Sequence, residues 1–452
     1  AAFCLVCEGE SESAFFTLCA SNQTDMKRVL LVTSSYAPVT IADMHRVRHL
    51  AWELPGLGWD AEILVPGTEF QRPDCFEPES KPLFNPAVEC HEVTPRDFKL
   101  FSLLNVRSIG WRALRPMADR GAELLRRKRF DLIYISTANF NLFCLGRWWS
   151  REFNIPYVLD YHDPWVRDQV DYSTTPNPLK RWLSAKLSGV MERYALHGAA
   201  GVVSVSPVYL DELRERYGNL RCLQADRSAF IPFAAREADF QLTGQSVESV
   251  NGKAEIIYVG AGGSIMAKSF STICAAIAEV RRIAPELVDR VKIRLLGTYA
   301  FWKEGEAKPL QEIAAGFGLA DIVEEIPPRI TYLKALEYVQ RSNGLLLLGV
   351  NDKGYVPSKL FTYALSGKPL LACFQAGSPS AQLFQQMPGI GRLLTFGQSG
   401  ASLTADAVTD VREFLLEVGS GRQFDRKALI EPHLSSAMAK THVELFERIC
   451  KA

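Results

Sequence analysis

The chain has 452 residues, 47% of them hydrophobic and 23% charged, with 51 Lys and Arg against 51 Asp and Glu. That length exceeds one ordinary core, so two or three domains are expected. The balanced charge argues neither for nucleic acid nor for a membrane as bulk partner, and no apolar run reaches the about 18 residues of a transmembrane helix. The ten cysteines are scattered, several (Cys144, Cys274, Cys373) inside apolar segments. Such usage suits reduced thiols in a cytosol, and the lone Cys4-x-x-Cys7 has no second pair at zinc-site spacing.

Residues 1–25 contain no Lys or Arg, so the basic start of a secretory leader is missing, and they read as an extension without function. From Met26 the chain alternates strand and helix. Arg28 to Ser34, Ala61 to Val65, Asp131 to Ser136, Tyr157 to Asp160 and Gly201 to Val205 are short apolar runs. Ile41 to Leu54 reads as a helix, with Met44, Val47, Leu50 and Leu54 on one face. Apolar content falls between Glu237 and Lys253, where Gln, Ser, Gly and Asn gather. A second series follows: Glu255 to Val259, Lys292 to Leu296, Asp321 to Glu325, Gly344 to Gly349 and Pro369 to Phe374. The pattern predicts two tandem doubly wound, Rossmann-like α/β domains over residues 26–236 and 254–432, with a linker at 237–253. Pro432 breaks the pattern, and Ser435 can cap a last helix over 433–452 that packs on either domain.

The richest stretch is Leu345 to Phe374. It reads as buried strand, polar loop, short helix opened by Pro357 and Ser358, a stop at Gly367 and Pro369, and a second buried strand. A helix starting where a parallel strand ends points free N–H groups into the crevice above the sheet. Lys359 in that first turn weakens the helix end, which points to a bound anion; the plain alternative is a surface lysine.

Several ordered segments across residues 26–450 together resemble the GT-B-fold retaining glycosyltransferases with a "glycosyl transferases group 1" C-terminal domain. They are VLLVTSSYAPVTIADMHRVRHLAWEL, YVLDYHDPW, AAGVVSVSPVYLDEL, IIYVGAGGSIMAKS and VPSKLFTYALSGKPLLA. The resemblance implies two α/β domains facing a central cleft and a nucleoside-diphosphate sugar as donor, with no metal and no further cofactor. The departing diphosphate is then met by helix N-termini and cations. Lys359, the neighbouring Ser358 and Leu360, and Lys268 are the candidates for it. Gly260, Gly262 and Gly263 let backbone approach the phosphates; their plain alternative is a tight strand-to-helix turn with a solvated lysine. His162 is carried over as the cleft histidine that positions the transferred sugar; a histidine capping its loop with Asp160 and Asp163 is the alternative.

The chain departs from the family at three places. Where relatives carry glutamates, Gly354 and Thr362 stand; Thr362 offers a ribose or sugar hydroxyl one hydrogen bond but no charge. The usual arginine of the C-terminal glycine turn is missing. On the acceptor side, Tyr36, His45 and Arg46 are candidate contacts. Lys99 to Arg129 holds nine Lys and Arg against Asp119 and Glu123, with Phe98, Phe101 and Trp111 interleaved. That stretch over 98–129 fits a peripheral contact with anionic lipid at the inner membrane face, or a solvated helix face. No nucleic-acid module is present.

The resemblance therefore implies a cytoplasmic hexosyltransferase-like enzyme working on a carbohydrate or lipid-linked acceptor in glycoconjugate or surface polysaccharide synthesis, with retention. Two alternatives share the fold: a sugar-nucleotide epimerase, which needs carboxylates in the cleft, and a non-catalytic nucleotide-sugar binder. A nicotinamide-dependent dehydrogenase is disfavoured, since Ile265 replaces the third glycine of its fingerprint.

Overall fold

The structure is a computed structural model that describes residues 26–71, 73–97, 108–166, 178–243, 252–299, 302–397 and 404–451. The extension at 1–25, the stretch 98–107 and residues 244–251 of the linker lie outside the described residues.

Two parallel sheets carry the fold. The strands are β1 (Lys27–Val32), β2 (Trp59–Pro66), β3 (Glu89–Val93), β4 (Leu132–Ser136), β5 (Tyr157–Tyr161), β6 (Gly201–Ser204), β7 (Ser228–Phe230), β8 (Ala254–Val259), β9 (Val291–Tyr299), β10 (Val323–Pro328), β11 (Gly344–Leu348), β12 (Leu370–Gln375) and β13 (Arg392–Phe396). The first sheet runs β3-β2-β1-β4-β5-β6-β7 and the second β10-β9-β8-β11-β12-β13. Central strands such as β11 and β12 are buried along their whole length, because helices cover both faces, and they read as unbroken apolar runs. Strand order reverses between β1 and β4 and again between β8 and β11. At those two points the flanking connections leave for opposite faces and open a crevice beyond the carboxyl ends.

The chain crosses between the domains twice, side by side. Ala235 N–H donates to His433 O at 3.1 Å and Ser435 N–H to Ala235 O at 2.8 Å. Helix Ser435–Cys450 then lies on the N-terminal sheet. Its Met438, Leu445, Phe446 and Ile449 share one core with Val29, Trp59 and Tyr134, and Tyr134 Oη meets His442 Nε2 at 2.9 Å. Burial pushes the His442 imidazole down to about 3, so this bond is made by a neutral ring.

Two local expectations need correcting: Ser435 is the first residue of the last helix rather than its cap, its Oγ donating to Glu53 Oε1 at 2.6 Å, and the second concerns Ser358. Ser358 does not cap the helix after β11: that helix spans Leu360–Leu365, and Lys359 occupies the preceding position with no side-chain cap. The Pro357–Lys359 segment forms a turn, closed by Leu360 N–H to Pro357 O at 3.3 Å, which frees the lysine side chain to run back toward β8. Gly367, at φ +73°, ends the helix as expected.

Phe446 has no exposed surface and packs edge-on against Trp59 with ring centres 5.5 Å apart. Phe446→Ala should cost about 3 kcal/mol, the scale of an emptied aromatic site. Urea unfolding followed by tryptophan fluorescence checks it; an unchanged midpoint would mean the last helix does not complete the N-terminal core.

Candidate active site

The C-terminal wall is built where β8 ends. Lys359 Nζ donates to Val259 O and lies 4.7 Å from the centre of the Tyr258 ring. Tyr363 Oη, one turn on, accepts from Val259 N–H at 3.0 Å. Together they dock the Leu360–Leu365 helix on the strand end. Gly260 is required there: it sits at φ +124°, and a Cβ on it would fall 2.1 Å from Lys359 Nζ. Burial pushes the Lys359 ammonium down to about 8, because its neighbours are a ring face and a carbonyl rather than a carboxylate.

A cavity of about 190 Å³ opens against this wall, between the two domains. The C-terminal domain contributes Gly260, Ser358, Lys359 and Thr362, with Arg329, Ile330 and Tyr332 from the segment after β10. The N-terminal domain contributes Thr40, His45 and Phe233. Among the described residues its lining carries two cations, Lys359 and Arg329, and no carboxylate. Aliphatic carbon from Ile330, Leu336 and Val339 makes one side apolar. The combination suits a ligand with an anionic end and a flat or apolar end.

The N-terminal side is organised around a buried charge pair. Arg46, fully buried on helix Met44–Glu53, donates from Nε to Asp160 Oδ2 at 3.1 Å. Its Nη atoms donate to Pro232 O at 3.1 Å and to Ile231 O. Ser136 Oγ donates to Asp160 Oδ2 at 2.8 Å, and His162 Nε2 lies 2.8 Å from the same oxygen. Burial alone would raise the Asp160 carboxyl, but Arg46 and His162 outweigh it and hold the carboxyl well below the usual range. The bond to Asp160 places the His162 proton on Nε2 and leaves Nδ1, buried, with no partner in the structure. Phe233 lies edge-on to the His162 ring with centres 5.0 Å apart and itself lines the cavity. His162 therefore stands one ring behind the cavity wall.

Of the residues nominated from sequence, Gly260, Ser358, Lys359 and Thr362 converge on the cavity. Gly262 and Gly263 do not line it. A Cβ on Gly262 would meet Thr298 at 2.7 Å, and Gly263 lies against the Tyr299 hydroxyl at φ +70°, so both serve close packing of the turn. Leu360 is sealed in the core beneath. Lys268, in the first turn of helix Ala267–Ile283, is not among the lining residues. Tyr36 and Arg46 are corrected as acceptor contacts: Tyr36 is buried against Phe84, and Arg46 is spent on Asp160 and the crossing carbonyls. Only His45 of that trio reaches the cavity, and burial beside the Arg48 guanidinium pushes its imidazole down to about 3.

Sequence reasoning did not single out Arg329, Tyr363, Glu77 or Tyr209. Arg329 Nη2 donates to Thr40 O across the cleft at 2.6 Å. Glu77, buried in the N-terminal domain, accepts from Tyr332 N–H and Leu333 N–H, each at 3.0 Å, and so caps a C-terminal-domain helix from the other lobe. Tyr209 packs on Gly354, where a Cβ would lie 2.2 Å from its ring; the side chain missing from one lobe makes room for a ring from the other. The Pro327-Pro328 pair before Arg329 was the one available signal, marking a strand end that delivers a cation.

Residues 45–234 match the family described as a glycosyl transferase 4-like domain. Among curated proteins none matches by sequence. Solved structures share the fold along nearly the whole chain. The HepE protein of Anabaena, in complex with UDP, is 14% identical with a TM-score of 0.58, over 93% of this chain and 99% of that one. A TarM mutant from S. aureus, in complex with Fondaparinux, alpha-GlcNAc-glycerol and UDP, is 9% identical with a TM-score of 0.57, over 93% and 100%. A UDP-forming trehalose-phosphate synthase from Burkholderia xenovorans is 12% identical with a TM-score of 0.56, over 94% and 100%. At these identities the likeness is one of architecture. Residues 45–234 are thus similar to a glycosyl transferase 4-like domain, and the chain shares the two-domain α/β GT-B fold of these solved structures along nearly its whole length.

Proposed function

We propose that the chain transfers a sugar, with retention, from a nucleoside-diphosphate sugar to a carbohydrate or lipid-linked acceptor in glycoconjugate or surface polysaccharide synthesis on the cytoplasmic side. The observation that carries this reading is the cavity at the β8–β11 reversal, with Lys359 and Arg329 in its lining and no carboxylate among the described residues. Lys359 meets the diphosphate, and Arg329 replaces the family arginine missing from the glycine turn, reaching the cleft from β10 instead. Cations held in a partly dry site stabilise a departing diphosphate more than they do in water, so the reading assigns no metal. Thr362 takes the ribose hydroxyl contact, and the apolar side takes the base. The UDP of two of the structural relatives fits this class of donor. An epimerase would need carboxylates, and none lines the cavity among the described residues.

A second reading, a nucleotide-sugar binder without turnover, is favoured by one arrangement: Phe233 stands between His162 and the cavity. For transfer, Phe233 must swing aside when the donor enters, exposing the unpartnered Nδ1 of His162 to a sugar hydroxyl.

Screening nucleotide sugars by thermal shift, with and without magnesium, should find at least one that stabilises the chain in the absence of the ion. Lys359→Ala should then weaken its binding by about 2 kcal/mol, roughly thirty-fold, the scale of one charge-assisted contact. An unchanged titration would remove Lys359 from the donor site. Product formation with added acceptor separates the two readings, and the anomeric configuration of the product by NMR tests retention.

The depressed lysine also fixes a pH dependence. With the free-state ammonium near 8, a bound diphosphate pulls its proton affinity back up. Donor affinity should fall as pH rises through that value, and binding should take up a proton there, read by calorimetry in buffers of different ionisation heat. The folded chain holds this proton less tightly than the unfolded chain, so the lysine costs stability below about 8 and the cost fades as pH rises toward the usual lysine value of 10.5. Lys359→Met should therefore unfold at higher urea than the parent at pH 7 while losing donor binding; a lower midpoint would show that the bond to Val259 O outweighs the buried charge.

A further inference from the structure

Helix Pro178–Leu196 has two unlike halves. Its last turns are anchored. Buried Glu192 accepts from Arg216 Nη1 at 2.7 Å and from Tyr217 Oη at 3.0 Å, Tyr157 Oη donates to Ala195 O at 2.6 Å, and Ala195 and Leu196 belong to the domain core. From Trp182 its early turns are open. Every side chain from Trp182 to Leu187 is exposed, with Trp182 at 57%, Leu183 at 54%, Leu187 at 50% and Val190 at 68%. Positions 182, 183, 186, 187 and 190 share one helical face, so four large apolar side chains and Lys186 form a single stripe open to solvent.

The charge on this helix has one sign. Its charged residues are Lys180, Arg181, Lys186, Glu192 and Arg193, and the one acid is buried and paired. Among the described residues no carboxylate pairs with Lys186 or Arg193; Lys186 Nζ instead sits 6.0 Å from the Trp182 ring centre. The other basic segment offers a contrast. On helix Ile109–Arg127, Arg115 pairs with Asp119, Arg120 and Arg127 with Glu123, and Arg126 with Glu152, so its cations are largely neutralised by the protein itself. A stripe of tryptophan and aliphatic side chains with a lysine that meets no carboxylate among the described residues matches an anionic lipid interface, in which indole sits at headgroup level, aliphatic carbon reaches the acyl boundary and an ammonium group meets phosphate. A second copy fits worse, since a two-fold contact would set the same cations against each other.

We propose that the first turns of helix Pro178–Leu196, through Trp182, Leu183, Lys186, Leu187 and Val190, dock this chain on an anionic membrane surface. The helix follows β5, whose carboxyl end carries His162, so its free turns stand at the cleft edge of the N-terminal sheet. Docking there brings the mouth of the cleft to the headgroups. That the acceptor is presented at this place rests on the glycosyltransferase reading; the docking itself does not.

The test is co-sedimentation of the full chain with vesicles of phosphatidylcholine alone and of phosphatidylcholine with about one third phosphatidylglycerol. Binding to the anionic vesicles, weakened by salt and reduced at least tenfold in Trp182→Glu/Leu187→Glu, is expected, with Lys186→Glu intermediate. Because these side chains are exposed, the thermal unfolding of all variants should match the parent. Equal binding by the double variant, binding to neither vesicle, or a dimer by light scattering that the double variant dissolves would each overturn the proposal. A nucleotide-induced thermal shift on the same samples keeps the readings apart. A shift without vesicle binding sinks the docking alone; vesicle binding without a shift upholds docking and sinks the donor site.

Discussion

One buried guanidinium ties the candidate site together. Arg46 reaches from the first helix to Asp160 at the carboxyl end of β5 and to the carbonyls of Ile231 and Pro232 where the chain leaves the N-terminal domain, and its charge lies 5.3 Å from the centre of the Phe233 ring. Removing either partner of such a pair leaves a charge in a dry interior, a loss of about 3–5 kcal/mol. The geometry has a functional side as well. Asp160, held ionised by Arg46, fixes the His162 tautomer, and the same arginine fixes the crossing that carries Phe233 into the cavity wall. Histidine, wall and crossing segment therefore share one anchor.

The interior of the fold was legible because burial leaves a plain trace. Central parallel strands covered on both faces, such as β11 and β12, are continuous apolar runs, and their order of alternation with helices is enough to infer two doubly wound sheets. The strands that sequence reading missed are β3, β7 and β13, and all three are sheet edges. Glu89–Val93 exposes three of its five side chains, and Ser228–Phe230 has three residues in all; neither carries a run to recognise. The site was legible in part for a similar reason. Gly260 and Lys359 belong to local strand–turn–helix patterns, whereas Arg329, Glu77 and Tyr209 matter only through partners 100 or more residues away, which no local spacing records. Arg46 shows the converse error. A charged residue beside a cleft loop reads as a ligand contact, and only the three-dimensional arrangement shows it turned inward onto Asp160.

The two lobes are joined by more than the paired crossings. Glu77 caps a helix of the opposite domain, Arg329 reaches Thr40 O, and Tyr209 fills the space left by Gly354. The first two involve the cavity-lining residues Tyr332, Arg329 and Thr40, so the lobes stand in a closed arrangement whose opening must break a charge-assisted cap and a cross-cleft hydrogen bond together. The absence of a side chain at Gly354 is then a packing requirement, because the volume it leaves is an interlobe joint filled by Tyr209.

The return of helix Ser435–Cys450 to the first sheet has a consequence for synthesis. As the chain leaves a ribosome, Val29, Trp59 and Tyr134 emerge early, yet Met438, Leu445, Phe446 and Ile449, which complete their cover, come only after the whole second lobe. The second lobe, whose core is contiguous in sequence, can close while translation continues, but the first, though helix Met44–Glu53 already covers part of that sheet face, must wait for the rest of its cover until helix Ser435–Cys450 arrives. Completion of the first lobe is thus tied to a segment made after the second, although the two are separate in space.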